Sequence, residues 1–237
     1  MSTAHPPEVA DAPTKRGRGR PALGRSTPLE RDEVLARALE IIRADGVDGL
    51  NMRRLAADLG VTSMSIYHYV ANKPALLDAI IAQLWDSVLV GVGESNGDIM
   101  EWMIQVNLRT RKVWVENLGL ANLAMAVAEP DATFFDVTLL SVRITQAVGF
   151  PDPELAYSAI QNYTMGSIAV AANRRYASRY FGRDPAEILE RAHALLDERG
   201  ASPEHHGIVT ARFDEGDDEH FERGLRALVA GLLAWSG

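Results

Sequence analysis

The sequence predicts an all-α protein, and three observations carry that prediction. Apolar residues recur at helical spacing in every long segment. No run alternates apolar and polar residues beyond chance, and glycine or proline separates one segment from the next. The 237 residues are 47% hydrophobic and 24% charged, so the chain has the apolar mass for one large domain or two small ones and is not disordered throughout. No internal repeat is visible.

Residues 1–26 are rich in Pro, Ala, Gly and Arg and have little to bury, which predicts a disordered basic arm. The first helix has Thr27 at its N-cap, Pro28 at N1 and Glu30 at N3, a capping box, followed by the apolar set Val34, Leu35, Ala38, Leu39, Ile41 and Ile42. Asp45-Gly46 stops it. Asn51 caps a short second helix that ends at Leu59-Gly60, and Thr62 caps a third carrying Ile66, Tyr67, Tyr69 and Val70. Asn72 caps a fourth, with Pro74 in its first turn, which runs through Leu76, Ile80, Leu84 and Val88 to Leu89 before Gly91, Gly93 and Gly97 break it. Further helices are expected near 98–117, 120–128, 131–148, 152–179, 184–199 and 216–235, with a loop around 200–215.

Composition excludes several classes of function. There is no cysteine, hence no disulfide framework, thiolate zinc site or cysteine nucleophile. The basic N-terminus is not followed by an apolar stretch of signal-peptide type, and no segment is expected to approach the roughly 20 apolar residues of a membrane span. A cytoplasmic protein without membrane partners is the expectation. The net charge of −8 is unevenly spread. Residues 1–73 hold 11 Lys and Arg against 9 Asp and Glu, while 74–237 hold 13 against 23. Lys15, Arg16, Arg18, Arg20 and Arg25 lie together with no acid among them. Such asymmetry fits a polyanion-binding end on an acidic body, or a solvated tail.

The two short helices joined at Gly60 have helix-turn-helix dimensions. Leu55, Ala56, Leu59, Val61, Ile66 and Val70 can pack beneath them, which leaves Ser63, Met64, Ser65, Tyr67 and His68 near the outer face. Hydroxyls and imidazole suit base edges in a major groove, and Met and ring edges suit thymine methyls. Arg54 and Asp58 are expected to form a surface i, i+4 ion pair. Arg16-Gly17-Arg18-Gly19-Arg20-Pro21 resembles an AT-hook core, a basic strip that tracks a narrow minor groove.

The run Arg53-Arg54-Leu55-Ala56-Ala57-Asp58-Leu59-Gly60-Val61, continuing to Tyr67-His68-Tyr69-Val70-Ala71-Asn72-Lys73, resembles the DNA-binding domain of the TetR family of transcriptional regulators over residues 28–80. Phe221 to Leu232 is similar to the end of the tetracycline-repressor subgroup's ligand domain. The resemblance implies that Ser63, Met64, Ser65, Tyr67 and His68 face bases, that Arg53 reaches a base or phosphate, and that Thr62, Tyr69 and Lys73 contact the DNA backbone. Lys73, in the first turn of its helix, suits that role, since free N–H groups and an ammonium can share one phosphate. The implied organisation is an arm at 1–26, a three-helix helix-turn-helix DNA-binding domain at 27–72, and a helical ligand-binding and dimerisation domain at 73–237, with helix 73–91 connecting the two.

The expected partners are therefore double-stranded operator DNA, a small-molecule effector and a second copy of the chain. The segment 152–179 is broadly apolar and rich in small residues, and the last helix is apolar nearly all round, so each is either central or paired with another subunit; the resemblance implies the latter, a homodimer bundle of two helices per subunit. Trp102, Met103, Asn107, Trp114, Met125, Phe134, Phe135 and Tyr163, with Leu89 at the end of the fourth helix, are candidate effector walls. Asn107 falls where the tetracycline repressors have a polar ligand-binding asparagine. Met125 stands where they have a magnesium-binding histidine, so an apolar, metal-free effector and no cofactor are expected. The acid run 214–219 suits a helix N-terminus. Glu204, His205, His206, Asp214 and His193 offer metal-ligand chemistry, but in a loop setting that carries little weight. No Walker loop, nucleotide fingerprint, HExxH or GxSxG is present. A ligand-responsive repressor is the leading expectation; a ligand-independent architectural DNA binder and an enzyme with a helical body are the alternatives.

Overall fold

A computed structural model describes residues 28–92, 95, 97–125, 132–182, 184–213 and 218–235, and among these every regular element is helical. The order is α1 (Arg31–Asp45), a 3-10 turn (Val47–Gly49), α2 (Met52–Asp58), α3 (Ser63–Tyr67), α4 (Lys73–Val92), α5 (Ile99–Glu116), α6 (Leu118–Met125), α7 (Ala132–Val148), α8 (Pro153–Phe181), α9 (Pro185–Asp197), α10 (Pro203–Phe213) and α11 (Asp218–Leu233). Side-chain oxygens cap many of these helices. Asn51 accepts from the Arg54 amide, Asn72 from Ala75, Asp98 from Glu101 and Asp152 from Leu155, each at 2.9 Å. Each such cap satisfies a donor that the helix start leaves orphaned, worth about 1 kcal/mol.

Three elements differ from expectation. Helix α1 starts at Arg31, with Glu30 as an extended N-cap that makes no side-chain cap bond; Thr27 lies outside the described residues. The segment before α1 has another anchor, since the Leu29 carbonyl accepts a hydrogen bond from the Tyr69 hydroxyl. Residues 203–213 form helix α10 where a loop was expected. Its Ser-Pro-Glu start has loop composition, but Pro at the first helical position with Glu in the first turn is equally a helix N-terminus. Finally, α4 runs through Gly91 to Val92 and is long and apolar enough to cross a membrane by length and composition, at a mean hydropathy of 1.6. Its row Leu76, Ile80, Leu84 and Val88 is instead buried in the protein core, against α1 and α5.

Two apolar cores stack along the molecule. The lower one joins α1–α4 to the C-terminal part of α5, the start of α6 and the middle of α8, through Leu35, Leu55, Ile66, Leu76, Trp114, Leu120 and Ile168 among others. Fully burying a side chain of this size contributes about 1.5–3 kcal/mol, so the small head is held by its own apolar residues and by the body below it. Gly119 belongs to this junction. A Cβ there would meet Ile42 Cγ2 at 3.2 Å and the Ile42 carbonyl oxygen at 3.3 Å, so a larger residue would push α6 and α1 apart by a few tenths of an ångström. Arg43 Nε also donates to Asn117 Oδ1 at 2.8 Å across the same junction. The upper core gathers Met103, Ile104, Ile144, Phe150, Ile160, Phe221 and Leu225 from α5, α7, α8, α11 and the turn before α8.

Helix α11 is tied to α5 by charge as well. Arg226 donates to both Glu101 oxygens, at 2.7 and 2.9 Å, and to Glu222 at 2.8 Å. The Arg226 guanidinium, helped by Gln105, holds the Glu101 carboxyl down at about 2, and its own pKa rises in return. A depressed carboxylate stabilises the fold above its unfolded value near 4.5, and that stabilisation disappears as pH falls toward 2. The pair is over a third exposed, so screening leaves on the order of 1 kcal/mol or less. Arg226→Ala is expected to lower the melting temperature at neutral pH by about 2–4 °C. The gap to the unsubstituted chain should close as pH drops from 4.5 to 2. Calorimetric melts across that range check it; a gap independent of pH would assign the loss to packing.

Candidate nucleic-acid interface and effector cavity

The helix-turn-helix is built on a tight backbone turn. Gly60 sits at φ +65°, a left-handed conformation that costs glycine little, and the Val61 amide closes the turn on the Ala56 carbonyl at 2.9 Å. Thr62 then caps α3, accepting from the Ser65 amide at 3.3 Å and meeting the Ser65 hydroxyl at 3.0 Å. Ile66 is fully buried and Val70 nearly so, which turns the opposite face of α3 outward. Met64 is 69% exposed and Tyr67 46% exposed. His68, Thr62 and Arg53 are exposed, while Ser63 and Ser65 are half-buried. Met64 and Tyr67 thus stand side by side on the outward face of a capped helix.

The flanking cations and phenols have structural engagements that sequence patterning does not show. Lys73 Nζ donates to the Val47 carbonyl at 2.7 Å, pinning the start of α4 under the 3-10 turn. An ammonium has three protons, so two remain for a phosphate. The Tyr69 hydroxyl is occupied by Leu29, which gives this residue a role in holding the chain before α1. The expected Arg54–Asp58 pair does not form. Arg54 reaches across the 3-10 turn to Asp45 and to the Gly49 carbonyl at 3.1 Å, and Asp58 pairs with Arg37 on α1 at 2.8 Å. Pairs between elements replace the pair within α2 because each arginine finds a carboxylate on a neighbouring element. Arg16, Arg18, Arg20 and Arg25 of the arm lie outside the described residues.

In the body, α4, α5, α7 and α8 enclose a cavity of about 40 Å³. Of the expected effector walls, Leu89, Met103 and Asn107 line it. Four others sit elsewhere. Trp114 is buried in the lower core, edge-on to Trp85 at 5.2 Å, and Tyr163 stacks on Phe221 at 5.1 Å. Trp102 faces an outer groove beside Arg109 and Glu222, and Phe135 is 53% exposed. The side chains of Met125 and Phe134 lie outside those described. Asn107 is 8% exposed and committed to the fold: its Nδ2 donates to the Met103 carbonyl at 2.9 Å, and its Oδ1 accepts from Thr164 at 3.0 Å. Thr110 and Thr145 are lining residues that sequence reasoning missed. Their signal was there: Asn107 and Thr110 at i, i+3 and Ser141 and Thr145 at i, i+4 are polar pairs on apolar helices.

A capped helix-turn-helix with an exposed recognition face, joined by one long helix to an all-α body with an internal cavity, defines a one-component DNA-binding regulator. Residues 34–80 match the model of bacterial regulatory proteins of the tetR family, and residues 93–235 match the tetracyclin repressor-like C-terminal domain. The chain belongs to the TetR family and is a ligand-responsive, DNA-binding transcriptional regulator. It is 28% identical to the HTH-type transcriptional repressor DrrR1 of Streptomyces coeruleorubidus, over 90% of this chain and 80% of that protein. It is 30% identical to the class D tetracycline repressor protein of Escherichia coli, over 86% and 89% respectively. Among solved structures, a point variant of TetR from Acinetobacter baumannii AYE in complex with minocycline aligns with a TM-score of 0.54 and 25% identity, covering 86% of this chain and 96% of that one.

Proposed function

We propose that the chain is a repressor that binds a palindromic operator as a homodimer and is released by a small, largely apolar, metal-free effector in the α4–α5–α7–α8 cavity. The observation that carries this reading is the pairing of an exposed α3 face, Met64, Tyr67 and His68, with a cavity between the body helices at the far end of α4. Residues 1–26 serve as an arm, 27–72 as the DNA-binding domain and 73–237 as the effector and dimer domain. Ser63, Met64, Ser65, Tyr67 and His68 read bases; Arg53, Thr62 and Lys73 touch the DNA backbone. The names of DrrR1 and the tetracycline repressors support repression as the direction of control, and the minocycline complex supports a small-molecule effector. Dimerisation rests on small exposed residues along two helices, Ser158, Asn162 and Gly166 on α8 and Ala227, Ala230 and Gly231 on α11. Such stripes allow two helix pairs to approach closely across a two-fold axis. No catalytic step is assigned to the chain, and a regulator of the chromosome works in the cytoplasm.

Selection of duplexes from a randomised pool tests the reading. Two inverted half-sites about one helical turn apart are the expected outcome. Loss of selection in a chain carrying both Tyr67→Ala and His68→Ala would support it, and enrichment of non-palindromic DNA would count against it. The same duplex tests the arm. Deleting residues 1–24 removes Lys15, Arg16, Arg18 and Arg20. Each phosphate neutralised contributes about 0.9 to the slope of log K against log salt, so the slope should become shallower by up to about 3.6. Preference for A·T-rich flanks should weaken while the bases read by α3 stay the same. An unchanged slope would leave the arm a bystander.

A further inference from the structure

The chemistry of the cavity lining narrows the class of molecule that can occupy it. Among the described residues, no Lys, Arg, His, Asp or Glu contributes to the wall. A charged group brought into such a site loses its hydration with no opposite charge to meet it. The polar groups that are present are neutral, and two of them have a fixed hydrogen-bonding sense. Thr110 Oγ1 donates its one proton to the Val106 carbonyl at 2.8 Å, and Thr145 Oγ1 donates its proton to the Ser141 carbonyl at 2.8 Å. Both side chains are about 95% buried and both line the cavity. A threonine hydroxyl has one proton and two lone pairs, so with the proton committed to the helix it offers only acceptance. Asn107 is different: one amide proton goes to Met103, which leaves the second available. Ser141, Gln161 and the Tyr157 phenol add further neutral polar groups, and the rest of the wall is apolar, with Trp85, Val88, Ile144 and Ile160 prominent.

We propose that the effector is an uncharged, hydroxyl-bearing ring compound, and that Thr110 and Thr145 select it by accepting its O–H groups. The proposal rests on the reading that this cavity is the effector site, and it refines the purely apolar effector expected from sequence. A ligand that turns an ether or carbonyl oxygen toward these threonines sets lone pair against lone pair in a buried site. Its hydroxyl analogue fills the same space and makes the bond. Sites built this way reject the analogue lacking the donor far more strongly than they sense a methylene.

A matched set of probes tests it: 2-naphthol (neutral donor), 2-methoxynaphthalene (neutral, no donor), naphthalene-2-sulfonate (anion) and 2-naphthylmethylammonium (cation). Binding to the full chain is measured by equilibrium dialysis. Naphthol should bind at least tenfold tighter than its methyl ether, and both ions more weakly than either. Thr110→Val and Thr145→Val, which keep the side-chain shape, should each reduce the naphthol-to-ether preference about fivefold, the worth of one neutral hydrogen bond. Circular dichroism melts show that the variants are folded. Equal binding of naphthol and its ether, tight binding of either ion, no binding of naphthol, or an unchanged preference in both valine variants overturns the proposal. Val106→Phe, which fills the cavity, separates the two readings. If it leaves naphthol binding intact, the cavity is not the site. If it abolishes binding while the valine variants keep their preference, the site stands and only the selectivity is wrong.

Discussion

Replacing Tyr67 by alanine is expected to weaken operator binding by about 5- to 150-fold, the equivalent of one base contact worth about 1–3 kcal/mol. The same substitution should leave stability within about 0.5 kcal/mol, as for a surface position. The reasoning is local. Tyr67 ends α3 with 46% of its surface exposed, while its neighbour Ile66 is buried and carries the packing. Removing the ring therefore takes away a contact surface and leaves the core intact. Tyr69 makes the contrast. Its ring packs against the lower core and its hydroxyl holds Leu29, so Tyr69→Phe should cost about 1 kcal/mol of stability and act on DNA only through the positioning of α1. Lys73→Ala combines both effects, since it removes a phosphate partner, worth about one unit of salt slope, and the tie to the Val47 carbonyl. Fluorescence anisotropy titration of the selected duplex at two salt concentrations, beside thermal melts, separates the three variants. Wild-type affinity for Tyr67→Ala would sink the recognition-face assignment.

How far such features are legible in sequence depends on the range of the interaction. Helix starts are local events, and Asn51, Thr62, Asn72, Asp98 and Asp152 all cap the helices that follow them. The face of α3 is legible for the same reason: with Ile66 and Val70 inward, the 3.6-residue period sets Met64 and Tyr67 outward. Partners more distant in the chain are not legible. Arg54 has a carboxylate at i+4 by arithmetic, yet it bonds one nine residues earlier because the 3-10 turn brings Asp45 back over α2. The cavity is the clearest case. Trp102, Trp114, Phe135 and Tyr163 are as large and adaptable as Met103, but which way a body helix faces is settled by packing among α4, α5, α7, α8 and α11. That packing seats Trp114 against Trp85 and Tyr163 against Phe221. Polar residues repeating on apolar helices, such as Thr110 and Thr145, are better guides to a cavity than large ones, because a buried hydroxyl needs a reason that a buried ring does not.

Val106→Phe is expected to abolish induction while leaving operator affinity within about twofold, because the cavity and the DNA surface are joined only through the movement that an effector forces. A cavity of about 40 Å³ has room for a water or two, whereas effector sites in general run to about 300–1,000 Å³. Occupancy therefore requires a wall to move. Trp85, Val88 and Leu89 make one wall, and all three lie on α4. That helix has 20 residues, a rod of about 30 Å, and its other end is fastened by Lys73 to the 3-10 turn that leads into α2. A second fastening, Arg43 to Asn117 with Gly119 against Ile42, ties α1 to the start of α6. Moving the cavity end of α4 outward would then re-aim α3, and in the proposed dimer it would alter the spacing of about 34–36 Å that adjacent major grooves demand. An effector that prefers the re-aimed state by about 1–3 kcal/mol lowers operator affinity about 5- to 150-fold. Linkage then requires operator DNA to weaken effector binding by the same factor. Calorimetric titration of 2-naphthol into the chain, with and without the selected duplex, measures both sides of the cycle. Val106→Phe should show no effector heat and full DNA binding; equal naphthol affinity with and without duplex would refute the coupling and leave a regulator whose cavity and recognition helices act independently.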